Sequence, residues 1–208
     1  MKKLHTLILA PVAMAVLLST ASWAAEQPAL SDRAYRAVNK AQALITEKKY
    51  GEANAKLQDA LSGAGDRVYD KGVILQTLGF VAAQQEKYGQ ATKYFADAIA
   101  TGGLPQPVAQ QVRYNLAQLY MAEGNFKASI STMNEWFANL GKDEKPTPHA
   151  YITLANAHVQ LKQYREAIPA VDQAIRLSAG KAPESWYLLK MAAHYELKQY
   201  KPATEVLT

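Results

Sequence analysis

The amino-acid sequence predicts an all-α fold, a solenoid of about five helical hairpins. An aromatic residue followed three positions later by a small residue recurs at steps of 38, 38, 38 and 36 residues. Around each aromatic residue, apolar side chains are spaced three and four positions apart, as in an amphipathic helix. Such hairpins cannot bury their apolar stripes alone, so neighbours stack into one core. The aromatic and small pairs are Tyr50/Ala53, Tyr88/Ala91, Phe126/Ser129, Tyr164/Ala167 and Tyr200/Ala203.

Residues 1–24 have the features of a secretory signal peptide. Two lysines precede an uncharged, mostly apolar run from Leu7 to Leu18, and small residues follow. Ser22 and Ala24 predict cleavage between Ala24 and Ala25. The apolar run is shorter than a typical membrane span, so no stable membrane insertion is expected after cleavage, and an uncleaved anchor is the alternative. The lysines and the Ala-rich cleavage region are typical of bacteria, which predicts the periplasm.

Composition excludes several classes of function. The chain has no cysteine, which excludes disulfides, thiolate metal sites and a lipidated cysteine. Without Lys2 and Lys3, the 23 basic residues fall to 21 against 18 acidic residues. That balance is not typical of a nucleic-acid-binding protein. A hydrophobic content of 49% predicts an ordered core.

The spacing divides the chain into segments. A lead-in at 25–33 precedes a repeat array at 34–208. The predicted units are about 34–71, 72–109, 110–147, 148–183 and 184–208. The last unit stops inside its second helix, which predicts a fragment of a longer array or an array without a capping helix. The segment 102–107 is predicted to end one helix and start the next, with Pro107 in the first turn. The charged, proline-containing segment 141–148 is a predicted solvated loop.

The third unit carries the closest resemblance to a known repeat. Its segment 114–120, Tyr-Asn-Leu-Ala-Gln-Leu-Tyr, followed by Gly-Asn-Phe at 124–126, resembles the tetratricopeptide repeat (TPR) consensus. The resemblance implies a right-handed α-α superhelix that binds other proteins. Small residues at Gly79, Ala117 and Ala155 fit the close approach of the two helices in each hairpin. The 38-residue step exceeds the usual 34 or so by about one helical turn.

The same unit departs from the pattern at two positions. Ser129 and Trp136 replace the two alanines of the second helix. A tryptophan cannot fill the space of an alanine without spreading the helices, so the curvature is predicted to change near Trp136. The sequence leaves open whether Trp136 lies in the core or anchors a partner.

Residue patterns typical of catalysis are lacking. The histidines after residue 24 are His149, His158 and His194, and they form neither a His-Glu-x-x-His motif nor a pair spaced by four. His158 and His194 occupy equivalent positions in units four and five, which favours a packing role. The segment Ser62–Gly65 lacks the lysine of a phosphate-binding loop. The sequence therefore predicts no enzyme, no cofactor and no metal.

The TPR resemblance implies a binding surface on the concave face, lined by the first helix of each hairpin. The residues that the consensus places there are Gln42, Gln76, Phe80, Gln84, Tyr114, Gln118, Asn156, Gln160 and Tyr195. Amides can pair with the backbone of an extended peptide, and rings supply apolar contact area to it or to a partner helix. The set lacks the Lys/Arg residues with which some TPR domains hold a C-terminal carboxylate.

A narrower resemblance suggests a biological context. Segments 108–117, 164–169 and 186–187 are similar to periplasmic TPR proteins associated with the TonB/ExbB/ExbD energy-transduction system. This implies a scaffold or adaptor that is accessory to iron-siderophore uptake, with TonB, ExbB or ExbD components as partners. One alternative is a docking or regulatory segment of a larger envelope enzyme, polysaccharide-export or cell-wall assembly. Another is a self-assembling structural array.

Overall fold

The computed structural model describes residues 28–142 and 144–206, and within these ranges all regular secondary structure is helical. The helices are α1 Asp32–Thr46, α2 Tyr50–Ser62, α3 Val68–Gln84, α4 Tyr88–Ala100, α5 Gln106–Ala122, α6 Phe126–Ala138, α7 Pro148–Gln160, α8 Tyr164–Leu177, α9 Glu184–Glu196 and α10 Tyr200–Glu205. They pair in chain order into five hairpins, which confirms the predicted all-α solenoid. The predicted signal peptide and its cleavage site lie outside the described residues.

The turn inside each hairpin has the same backbone geometry. One residue adopts a left-handed conformation, with φ between 57° and 75°. The N–H of this left-handed residue donates to the carbonyl oxygen three residues earlier in the chain. The N–H of the residue after it donates to the carbonyl oxygen five residues before that residue. This is the Schellman arrangement that ends helices. The left-handed residues are Lys48, Glu86, Gly124, Lys162 and Lys198.

Small residues let the two helices of a hairpin touch, as the sequence predicts. A Cβ on Gly79 would lie 2.5 Å from ring atoms of Phe95, which is fully buried in α4. Ala117 and Ala155 are fully buried at the corresponding places. In the third hairpin, the Oγ of Ser129 donates to the carbonyl oxygen of Ala117 at 2.9 Å. That hydrogen bond explains how a serine is accommodated in a buried position.

The hairpins stack in sequence order. The second helix of each hairpin packs on the first helix of the next, and first helices also contact each other at α1/α3 and α5/α7. The N-terminal core joins α1, α2, α3 and α4 around residues such as Leu44, Leu57 and Leu78. Buried clusters continue through the later hairpins. A stack of this kind gains stability at each junction between neighbours.

Trp136 lies at the junction between the third and fourth hairpins. Its half-buried ring is 5.6 Å from the Tyr114 ring and 5.1 Å from the Phe137 ring, centroid to centroid. Phe137 in turn contacts Tyr151 of α7 at 4.7 Å. The Nε2 of Gln110 donates to the Trp136 carbonyl oxygen at 2.9 Å. These contacts favour the core interpretation of Trp136 over the partner anchor.

A buried carboxylate ties the start of the array to its second hairpin. Asp70 of α3 accepts hydrogen bonds from the Ser31 N–H at 3.0 Å and the Ser31 Oγ at 2.6 Å. The Nε of Arg67 pairs with the same carboxylate at 2.8 Å. Burial raises the pKa of Asp70, but the Ser31 hydrogen bonds and Arg67 outweigh it, and the pKa lies below its ordinary value. Ser31 is also the N-cap of α1.

Among the described helices, none combines the length and the apolar character that a bilayer span requires.

Candidate protein-binding surface

The nine predicted binding residues all lie on first helices, and the structure places them at different depths. Gln84, Gln160 and Tyr195 are exposed. Gln76 is buried. The half-buried residues are Gln42, Phe80, Tyr114, Gln118 and Asn156.

The exposed amides occupy equivalent places in two hairpins. Gln84 ends α3 and Gln160 ends α7, each two residues before the left-handed residue of its turn. Both side chains can therefore meet a ligand without rearrangement of the core. An amide supplies a donor and an acceptor, which matches the N–H and C=O groups of a peptide backbone.

Three of the predicted residues take part in internal packing. The Phe80 ring packs edge-on against Phe95 with centroids 5.1 Å apart. The Tyr114 ring packs on Trp136. Gln76 is buried, and its Oε1 has no hydrogen-bond partner among the described residues. The inner side of α3 therefore serves the core as well as the open surface.

The nine side chains carry no formal charge at neutral pH. The ion pairs of the described residues use other positions, such as Lys93 with Asp97 at 2.8 Å along α4 and Arg33 of α1 with Asp59 of α2 at 3.1 Å. The predicted surface consequently offers hydrogen bonds and apolar contact without electrostatic selection for a charged ligand.

Gln111 and Asn115 of α5 are two further binding candidates that the sequence pattern did not predict. Gln111 is exposed, and its Nε2 donates to Oδ1 of the buried Asn115 at 3.1 Å. The Nδ2 of Asn115 has no partner in the described part of the chain. Helical spacing could have predicted Gln111, since it precedes Tyr114 by three positions and Gln118 by seven and therefore lies on the same face of α5.

The histidines in the described ranges are engaged in structural contacts. The Nδ1 of His158 is 2.8 Å from Oε1 of Gln163, and His194 makes the same contact with Gln199. Each of these two contacts bridges the turn of its hairpin. The His158 and His194 rings therefore make polar contacts in addition to the predicted packing. His149 lies edge-on to the Trp186 ring at 5.4 Å. No cluster of three or more metal-ligating side chains occurs in the described ranges.

Comparison with known families identifies the repeats. Tetratricopeptide repeat models match residues 77–143 and residues 148–180. These two segments therefore match TPR repeats, and the array has the fold of a TPR solenoid. No curated protein sequence matches the chain.

Solved TPR structures share this architecture at low sequence identity. MamA from Desulfovibrio magneticus RS-1 is 17% identical with a TM-score of 0.66, covering 86% of this chain and 93% of that one. YrrB, described as a TPR protein with an unusual peptide-binding site, is 16% identical with a TM-score of 0.67, covering 84% and 82%. A TPR protein from Parabacteroides merdae is 14% identical with a TM-score of 0.66, covering 85% and 64%. At these identities the likeness shows the fold alone.

Proposed function

We propose that this chain binds an extended, uncharged segment of a partner protein along its first helices and catalyses no reaction. The supporting observation is the uncharged surface on which Gln84, Gln118 and Gln160 present amides beside aromatic rings. Such a surface suits a backbone that forms hydrogen bonds with amide side chains and places apolar side chains between them. The peptide-binding site named for the similar YrrB structure supports the same use of the fold.

We further propose that the protein works in the bacterial periplasm as an accessory of the TonB/ExbB/ExbD system. Support for export comes from the signal-peptide pattern of residues 1–24. Support for the system comes from the resemblance of segments 108–117, 164–169 and 186–187 to periplasmic TPR proteins of that system.

In-cell photocrosslinking tests the binding surface. A photoreactive residue replaces Gln84 or Gln160, because both are exposed and neither supports the core. Matched controls replace Lys127 of α6 or Arg165 of α8, which are exposed on second helices. We expect discrete crosslinked partners from the first two positions only. Equal labelling from all four positions would remove the binding-surface proposal.

The same crosslinking strains test the TonB assignment. Cells are grown with and without iron, and crosslinked partners are identified by mass spectrometry. We expect TonB, ExbB or ExbD among partners captured under iron limitation, together with impaired siderophore-dependent growth in a deletion strain. Other partners and normal growth would reject this system while leaving the binding surface intact.

Cell fractionation addresses the location separately. We expect the protein in the periplasmic fraction, with a mature N-terminus at Ala25. A cytoplasmic protein that retains Met1 would reject export.

A further inference from the structure

A cavity of about 210 Å³ lies between the first and second hairpins, beside their second helices. Its lining comes from α2, from the end of α3 and the turn after it, and from α4. The lining residues include Gly51, Asn54, Ala82, Lys87, Gln90 and Tyr94. A cavity of about 150 Å³ in another protein holds a benzene ring, so this one has room for a ring-sized group. None of the nine residues predicted to bind along the first helices lines it.

The cavity is traced to Ala82, the smallest side chain at its position in the five hairpins. The equivalent residues, at steps of 38, 38 and 36 residues along the chain, are Tyr120, His158 and His194. All three carry half-buried rings. In the first hairpin the equivalent residue is Leu44, which is buried. The methyl group of Ala82 therefore leaves open the space that a larger side chain occupies in the other hairpins.

The turn beside the cavity carries a cation where later turns carry an amide. In the fourth hairpin, the Nδ1 of His158 is 2.8 Å from Oε1 of Gln163. The residue equivalent to Gln163 in the second hairpin is Lys87, whose Nζ donates to Oε1 of Gln85 at 2.8 Å. Gln85 is itself fixed, because its Nε2 donates to the Val81 carbonyl oxygen at 3.2 Å. An ammonium has three donors and no acceptor, so Lys87 keeps two hydrogens for a ligand.

The other polar groups of the lining can also donate hydrogen bonds. The Tyr94 hydroxyl accepts from Nε2 of Gln58 at 2.7 Å and keeps its own hydrogen to donate. Within the described residues, the side-chain amides of Asn54 and Gln90 make no hydrogen bond, and Lys87 makes no ion pair. The lining therefore combines one positive charge with several donors and includes no carboxylate. This set matches a singly charged carboxylate better than a phosphate group, whose charge is about −1.5 to −2 at pH 7.

We propose that this cavity binds a carboxylate on a carbon stem no larger than a ring. Lys87 pairs with the carboxylate, and Asn54, Gln90 and Tyr94 donate hydrogen bonds to it. The stem lies beside Ala82 and Gly51, where a Cβ on Gly51 would meet nothing within 4 Å. The carboxylate belongs either to a small free acid or to an acidic side chain of a partner protein. Because the cavity is separate from the surface of the first helices, this site does not depend on the function proposed above.

A nuclear magnetic resonance titration of the purified protein with benzoate tests the site. We expect benzoate to shift the amide resonances of Ala82 and Gln90, and the neutral benzamide, which has the same ring, to leave them unchanged. Lys87→Met should weaken benzoate binding about tenfold or more, because a charged hydrogen-bond partner is lost. Lys127→Met is the matched control, because it removes the same charge from an exposed position on α6. It should bind benzoate as the wild type does.

A second variant fills the cavity. Ala82→Tyr introduces the side chain that the third hairpin has at Tyr120, and it should abolish benzoate binding. Circular dichroism checks that this variant folds. If it does not fold, Lys87→Met decides the test, because Lys87 is exposed and its replacement leaves the core intact.

Two short peptides distinguish the sources of the carboxylate. One is N-acetyl-Ala-Glu-Ala-amide, and its control has glutamine in place of glutamate. Tighter binding of the glutamate peptide than of benzoate would support an acidic side chain of a partner protein, whereas binding of benzoate alone would support a small free acid. The proposal is overturned if neither carboxylate binds, if benzoate and benzamide bind equally, or if Lys87→Met binds benzoate as tightly as the wild type.

Discussion

Gly79 has no side chain because the Phe95 ring occupies the space that a Cβ would need. The two residues belong to opposite helices of the second hairpin, and Phe95 is fully buried. A buried ring has little freedom to move when a neighbour grows. The small residue is therefore a packing requirement of the hairpin.

We predict that Gly79→Ala destabilises the protein by about 1–3 kcal/mol, since overpacking outweighs the helix propensity gained from alanine. Gly51→Ala is the control, because a Cβ on Gly51 of α2 would meet nothing within 4 Å. Urea denaturation measures both variants. The packing account fails if Gly79→Ala is as stable as Gly51→Ala.

The hairpin turns place four residues with side chains in a conformation that favours glycine. Glu86 has φ 59°, whereas the equivalent residue of the third hairpin is Gly124 with φ 75°. We predict that Glu86→Gly stabilises the protein by about 0.5–1 kcal/mol, because it removes the left-handed strain of a residue with a Cβ. Gly124→Ala should lower the stability by a similar amount. Thermal unfolding that moves both variants in one direction would contradict this.

At the scale of the helix, Asp70 connects α3 to the N-cap of α1. Its folded-state pKa is lowered, so the ionised carboxylate contributes stability above the unfolded pKa of about 3.9. That contribution is lost as the pH falls through the lower folded value. At neutral pH the contacts of Asp70 with Ser31 and Arg67, which we call the Asp70 tether, therefore contribute their full stabilisation.

We predict that Asp70→Asn destabilises the protein at pH 7 by about 1–3 kcal/mol, because the Ser31 and Arg67 donors lose their charged acceptor. Below pH 4 the stability difference between variant and wild type should shrink, since the wild-type carboxylate becomes protonated. Urea unfolding at pH 7 and at successive acidic values measures the difference. A constant difference across that range would exclude the tether as its cause.

Local patterns in the sequence were sufficient to predict the helices. The aromatic and small pairs place each turn, and Gly79 and Ala117 mark the close contacts between helices. The Asp70 tether could not be predicted, because its partner Ser31 is 39 residues away and no periodicity connects them. The sequence also did not predict how deeply each of the nine binding residues is buried. Gln84 and Phe80 share a helix face, yet only Phe80 is held by a ring from α4.

At the scale of the whole molecule, the buried core is unevenly distributed. Helix α3 buries most of its length and contacts α1, α2 and α4. Helix α10 buries only Ala203 among its described residues. In a stack stabilised by contacts between neighbours, a hairpin with little buried surface opens most easily.

We predict a gradient of amide hydrogen exchange along the array, with the slowest exchange in α3 and the fastest in α9 and α10. Mass spectrometry of peptides from each hairpin measures it. Uniform protection along the array would show instead that it unfolds as one cooperative unit.

The turns inside the hairpins are short, and helices pack mainly on their neighbours along the chain. Contacting residues are therefore close in sequence, which gives the protein a low contact order. Chains with this property close few long loops on the way to the native state and fold quickly, often within milliseconds. A hairpin can also form before the following one has left the ribosome. This geometry suits a chain that becomes available to fold from its N-terminus onward.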